Sequence, residues 1–236
     1  MQSVCRRLLH HLCFAMVFLP GLVSAHALEI HGSNTIGATL APMLMTRFLE
    51  QLSGQPVISS ASSTENETLL STSKDGKPLT VLVAAHGSST GFTAMQANQA
   101  DIWAASRRVK PAEIAAMAAR ADMTSADSEH VIAIDGLAIL VHPANPVDQL
   151  SIETLAQIFA GEITNWSAVG GPDRAIQVYA RDEQSGTWDT FKDLVLRGQY
   201  AMTDGARRYE SNDQLSADVS RDPAGIGFAG FASVGN

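Results

Sequence analysis

Apolar positions along the chain follow two alternating patterns. Short runs that are apolar at alternate or successive positions predict strands at 28–31, 79–85, 101–105, 132–141, 176–180 and 225–231. Segments with apolar residues three to four apart predict helices. One carries Ile36, Leu40, Met43, Leu44 and Phe48 on a single face and ends at Gly54. A second spans 92–98. A third opens at Pro111 and carries Ile114, Met117, Ala118 and Ala121. Ser151 caps a fourth, with Ile152, Leu155, Ile158 and Phe159, stopped by Gly161. A fifth runs over 187–196 and closes at Gly198. Strands alternating with helices argue for an α/β protein with a mostly parallel sheet. The stretch 59–78 is polar and is expected to be a loop, with one weak helical turn around Leu69 and Leu70.

The first residues follow a different pattern. Arg6 and Arg7 precede a mostly apolar run, 8–22, broken by His10 and His11. Small residues then offer cleavage after Ala25 or Ala27. This is the layout of a secretory signal peptide over 1–27. The alternative is a membrane anchor, but the run falls short of the roughly 20 residues a span requires. Cleavage would remove both cysteines, Cys5 and Cys13, leaving no disulfide, thiolate metal site or cysteine nucleophile. It would also remove two arginines and no acid, taking the net charge from −8 to −10. An exported, cysteine-free, acidic chain points to a bacterial periplasm. Such a charge also argues against a nucleic-acid partner, which demands a basic face.

Three turns share one layout: Gly32-Ser33-Asn34-Thr35, Gly87-Ser88-Ser89-Thr90-Gly91 and Ser185-Gly186-Thr187. Each follows a predicted strand and precedes a predicted helix. Hydroxyls and unpaired backbone N–H groups therefore gather at helix starts, where the helix dipole also favours an anion. Any one of these turns is explained as an ordinary N-cap. Three together, with Arg181 four residues before Ser185, point to a shared anion site. A rival reading takes the second turn as G-x-S-x-G, the nucleophile elbow of a serine hydrolase acting through Ser89. About 60 residues of mature chain precede it, short for the sheet that leads to such an elbow, and His130 and His142 lack a surrounding motif. His31, His86, His130 and His142 show no metal-ligand spacing, so no metal or cofactor is expected. Asp182 and Glu183 read as a solvated pair, and Trp188 and Phe191 as core.

With these turns, the runs Ile158-Phe159-Ala160-Gly161-Glu162-Ile163-Thr164-Asn165-Trp166 and Arg181 through Thr187 carry a resemblance. The chain resembles the periplasmic phosphate-binding proteins of high-affinity phosphate ABC transporters. The resemblance implies a type II periplasmic-binding fold: two α/β lobes with mixed sheets, a hinge, and phosphate clamped in the cleft. The lobes are expected at 28–128 and 129–236. It implies phosphate contacts from Asn34, Thr35, Ser88, Arg181, Ser185, Gly186 and Thr187. Ser106 stands where many relatives carry an Asp, and is expected to donate there with Arg107 adding charge, which leaves phosphate-versus-sulfate selectivity open. The stretch 59–78 reads as an insertion like that of a branch sometimes fused to OmpA-like domains. In the family the chain returns to complete the first lobe. Here that return is expected to be short or missing after Asn236. The expected partners are inorganic phosphate or a related oxyanion and a transporter permease, the protein acting as a monomer. An envelope anion sensor or scaffold without transport is the alternative within the fold.

Overall fold

The structure, a computed structural model, describes residues 28–234, so the predicted signal segment 1–27 lies outside the described residues. The first half builds one sheet. Strand β1 (Leu28–Gly32) leads through a short helix α1 (Asn34–Gly37) into α2 (Leu40–Ser53). Then come β2 (Ile58–Ala61), β3 (Glu67–Lys74), β4 (Lys77–Ala84), α3 (Ser88–Gln96), β5 (Ile102–Ala104) and α4 (Pro111–Met117). The sheet order is β2-β3-β4-β1-β5. β1 runs parallel to β4 and β5, while β2, β3 and β4 form an antiparallel meander.

Residues 118–136 contain no helix or strand. The second half then gives β6 (Leu137–Val141), α5 (Ile152–Ala160), β7 (Gln177–Arg181) and α6 (Gly186–Phe191), which continues as a π-helical turn over Lys192–Leu196. Last come β8 (Arg207–Tyr209), α7 (Asn212–Arg221) and β9 (Gly225–Gly230). The second sheet has the order β6-β9-β7-β8, with β6 antiparallel to β9 and the other pairs parallel. The fold is α/β with two mixed sheets, so the mostly parallel sheet expected from the alternation is corrected at β2, β3 and β6.

Each sheet has its own core. Ile30, Leu49, Leu70, Val81 and Val83 fill the first. Phe159, Trp166, Phe191 and Phe228 anchor the second, with the Phe191 and Phe228 rings stacked 4.0 Å apart. Trp188 and Phe191 are core residues, as their spacing indicated.

Several expectations are corrected. The polar stretch 59–78 is not a loop but the meander β2-β3-β4. Hydroxyl residues make up half of β2 and β3, which pair in antiparallel register with β4, and Leu70 is fully buried. Asp75 and Gly76, both at positive φ, make the two-residue turn that joins Lys74 to Lys77. Such a turn matches strand twist and is what Asp-Gly specifies. The apolar stripe of the first predicted helix is largely outward: Met43 is 60% and Phe48 49% exposed, while Ala41 and Leu49 face the sheet. The strand predicted over 132–141 begins only at Leu137, and Val131, Ile132 and Ile134 stand exposed. Helix α7 and strand β8 were not anticipated.

Candidate functional site

The two sheets meet along a seam into which the three small-residue turns project. At the end of β1, Gly32 adopts φ +139°, and a Cβ there would lie 2.0 Å from the Ala104 carbonyl oxygen. Glycine thus lets β1 stay against β5 while the chain turns into α1, placing Ser33, Asn34 and Thr35 at the seam. The Ser33 backbone N–H donates to that same Ala104 oxygen at 2.7 Å. Across the seam, Ser185 caps α6 by accepting from the Trp188 N–H, and Ser211 caps α7 by accepting from the Gln214 N–H.

The sequence-designated residues come together in three contacts. Asn34 Oδ1 accepts from the backbone N–H of Asn212 at 3.0 Å and from its Nδ2 at 3.3 Å. Thr35 Oγ1 lies 3.1 Å from Thr187 Oγ1 and accepts from Asn212 Nδ2 at 3.1 Å. Ser88 Oγ lies 3.4 Å from Ser106 Oγ and accepts the Ser106 N–H at 3.2 Å. Gly186 packs directly on this serine pair. A Cβ at Gly186 would fall 2.3 Å from Ser88 Oγ and 2.6 Å from Ser106 Oγ, so only glycine permits this approach. A backbone bond from Ser89 N–H to the Gln184 carbonyl, 3.1 Å, zips the same turns together.

Arg181 ends β7 and is 1% exposed. Its Nε donates to the Tyr209 carbonyl at 3.2 Å, and one terminal nitrogen donates to the Glu210 carbonyl. The other, Nη1, is buried without a partner, as are Asn34 Nδ2 and Ser33 Oγ. Burial holds the guanidinium pKa down, to about 10, although the carboxylates of Asp182, Glu210 and Asp213 pull it up. The guanidinium is thus spent on two carbonyls and has no close carboxylate among the described ion pairs. A buried donor left unpaired costs on the order of 1–3 kcal/mol, more if charged. An arrangement of this kind stores that cost against an incoming acceptor, and its donors suit an oxyanion.

Other expectations are revised here. Arg107 does not add charge at the seam opening. It grips Glu113 through two nitrogens, at 2.6 and 2.8 Å, and its Nε lies 2.9 Å from Asp189 Oδ2 on α6. Lys110 Nζ reaches that same oxygen at 2.5 Å. Hydrogen bonds from Arg107 and the Lys110 N–H, with the charges of Arg107 and Lys110, hold the Glu113 pKa below its usual range despite burial. Ser89 Oγ accepts from Arg107 Nη2 at 3.4 Å, a cation rather than a general base. His86 engages Glu67 at 3.1 Å and Glu210 at 2.6 Å, and His31 engages Glu29 at 3.1 Å. Of the acidic pair, Glu183 is exposed, but Asp182 is partly buried and its Oδ1 accepts the Gln184 N–H at 3.0 Å, shaping the turn before α6. Among the described residues no cluster of three metal-ligating side chains occurs. Nor, among those residues, is any helix long and apolar enough to cross a membrane.

Sequence reasoning missed Asp189, Glu210 and Asn212, and it placed Ser33 in the first turn without singling it out. For Asn212 a signal existed: Ser211-Asn212-Asp213-Gln214 is an S-x-x-Q capping box, and Leu215 and Val219 follow at helical spacing.

Comparisons with known proteins agree with this architecture. The chain is 33% identical over 165 residues to Protein SphX of Synechococcus elongatus, covering 67% of this chain and 48% of that protein. It is 30% identical over 177 residues to the phosphate-binding protein PstS of Borreliella burgdorferi, covering 72% and 60%. The chain therefore spans about half of the length of the curated relatives it matches. Among solved structures, a substrate-binding protein of Clostridium perfringens with bound phosphate shares the fold, with TM-score 0.67 and 24% identity over 88% of this chain and 72% of that one. An ABC-type phosphate transport receptor of Vibrio cholerae gives TM-score 0.58 and 27% identity, covering 89% and 73%. A family model described as the PBP superfamily domain matches residues 50–235, which takes in most of both sheets and the α6 and α7 sides of the seam, and the chain belongs to that family.

Proposed function

We propose that this chain binds inorganic phosphate, or a tetrahedral oxyanion like it, at the seam between the two sheets, as a non-enzymatic solute-binding module for ABC-type uptake. The observation that carries this reading is the fully buried Arg181 whose Nη1 has no partner, set in a seam where Asn34 Nδ2 is also unpartnered. Phosphate oxygens supply the acceptors those donors lack. Asn34, Ser88, Ser106, Arg181, Ser185, Gly186 and Thr187 form the contact set in this reading, with Thr35 supporting Thr187. The similarity to phosphate-binding proteins supports phosphate as the ligand and a permease as the partner. Residues 28–128 and 129–236 act as the two lobes, and the segment 1–27 directs export to the periplasm, where the protein works as a monomer.

Closing over an anion removes it from water, so each charge-assisted hydrogen bond counts for more than it would at a surface. The long-range field of a chain with net charge −8 repels polyanions. A single small anion is held by local donors, which that field does not cancel. Phosphate-dependent thermal melting tests the reading. A ligand present at one hundred times its dissociation constant stabilises the native state by about 2.7 kcal/mol. The unmodified protein is expected to melt higher with phosphate, and Arg181→Ala to show no such shift. Equal shifts in both would remove Arg181 from the site.

A further inference from the structure

Asn212, at the first position of α7, is 1% exposed and makes four hydrogen bonds to three residues, Asn34, Thr35 and Gly230. Its orientation follows from chemistry alone. The Gly230 backbone N–H, which can only donate, lies 3.2 Å from Asn212 Oδ1. The oxygen of the carboxamide therefore faces β9, and Nδ2 faces Asn34 and Thr35. The same logic continues one residue further. The Asn212 backbone N–H donates to Asn34 Oδ1 at 3.0 Å, so the Asn34 oxygen faces α7 and its NH2 must point the other way. That NH2 is the buried donor without a partner. Thr35 Oγ1 accepts from Asn212 Nδ2 and lies 3.1 Å from Thr187 Oγ1, a hydroxyl pair in which either oxygen can donate.

We propose that Asn212 is a positioning residue of the anion site: from α7 it turns the Asn34 amide so that Nδ2 faces the anion, and it holds the Thr35 hydroxyl beside Thr187. The consequence is a coupling between closure and recognition. The first sheet presents Asn34 as a donor only when α7 is in place, because without Asn212 the carboxamide is free to present either end. This inference rests on the anion-site reading above.

The test is calorimetric titration of inorganic phosphate into the unmodified protein, Asn34→Ala, Asn212→Ala and the double variant, with thermal melting of each in the absence of phosphate. Both single variants are expected to weaken phosphate binding tenfold or more. The double variant is expected to bind no more weakly than twofold below the weaker single, since Asn212 acts mainly through Asn34. Wild-type affinity in Asn212→Ala, or fully multiplicative losses in the double variant, would overturn the inference. Should Asn212→Ala fail to fold, Asn34→Asp serves instead. Its carboxylate still accepts from Asn212 but turns a second acceptor, not a donor, to the anion. It is expected to fold and to lose phosphate binding tenfold or more, and retained affinity overturns the inference. No binding by the unmodified protein overturns the anion-site reading itself, a result distinct from selective failure at Asn212.

Discussion

At the scale of single residues, the site is defined by donors that the protein leaves unpaired. Arg181 shows how sequence and structure divide the information. It stood out in the sequence because an arginine four residues before Ser-Gly-Thr is a recognisable arrangement. Its Tyr209 and Glu210 carbonyl partners did not, because they arrive from a strand whose three residues, Arg207 to Tyr209, carry no apolar alternation. Arg107 was hidden in part for a related reason: of its two ion-pair partners, Glu113 is six positions away, but Asp189 is 82 positions away on α6. Gly186 gives a sharp prediction at this scale. Its missing Cβ leaves room for Ser88 and Ser106, so Gly186→Ala should hold the seam apart. The expected result is at least a tenfold loss of phosphate affinity with a melting temperature close to the parent's in ligand-free buffer. Unchanged affinity would mean that the seam does not close this tightly on its ligand.

Elements were legible where burial enforced a period. Strands β1 and β4, and helix α5 with its Ser151 cap and Gly161 stop, stand where the pattern put them. Strands β2 and β3 were not legible because they lie at and next to a sheet edge: β2 is exposed throughout, so serine and threonine occupy positions that a buried strand fills with valine. The Asp75-Gly76 turn was the available signal. Helix α7 escaped because its mean polarity is high and only Leu215 and Val219 reach the core. Its cap still matters for the site, since it presents Asn212. Ser211→Ala removes the hydroxyl that accepts the Gln214 N–H and is expected to cost about 1 kcal/mol of stability, read as a lowered midpoint in urea with an unchanged slope.

A second element-level prediction concerns the link between β3, the turn after β4, and the turn before α7. His86 sits between Glu67 and Glu210. Burial disfavours its imidazolium, but hydrogen bonds to Glu67 and Glu210 and their charges outweigh burial and raise its pKa. Burial likewise opposes ionisation of Glu67, and the His86 and Ser62 hydrogen bonds prevail to lower it. A raised histidine contributes stability that is fully present below its unfolded value and disappears as pH rises through its folded value. The Glu67 contribution is present above its unfolded value and disappears only as pH falls through its depressed one. The link is therefore strongest in mildly acidic solution and weakens on going alkaline. Melting temperatures across roughly pH 5–8 should fall more steeply on the alkaline side for the parent than for His86→Ala. Parallel curves would show that the bridge is not titrating.

On the scale of the whole molecule, the two sheets are joined in the chain by residues 118–136 and in space by contacts along the seam. Asp189 is the electrostatic hub there, buried on α6 and facing Arg107 and Lys110 from the first half. Removing one partner of a buried ion pair typically costs about 3–5 kcal/mol, less here because Arg107 keeps Glu113 and Lys110 stays partly in water. Asp189→Asn is expected to favour the open arrangement, increasing the radius of gyration in ligand-free small-angle scattering and weakening phosphate binding. An unchanged scattering profile would assign Asp189 to α6 stability alone. At this scale the net charge of −8 separates the long-range field, which is acidic, from the proposed local site of neutral donors and one arginine. The most direct measurement of that separation is isothermal titration of the purified protein with phosphate, arsenate and sulfate. The account predicts saturable one-to-one heat with phosphate, abolished in Arg181→Ala; a folded protein that gives no saturable heat with any of the three oxyanions would contradict it.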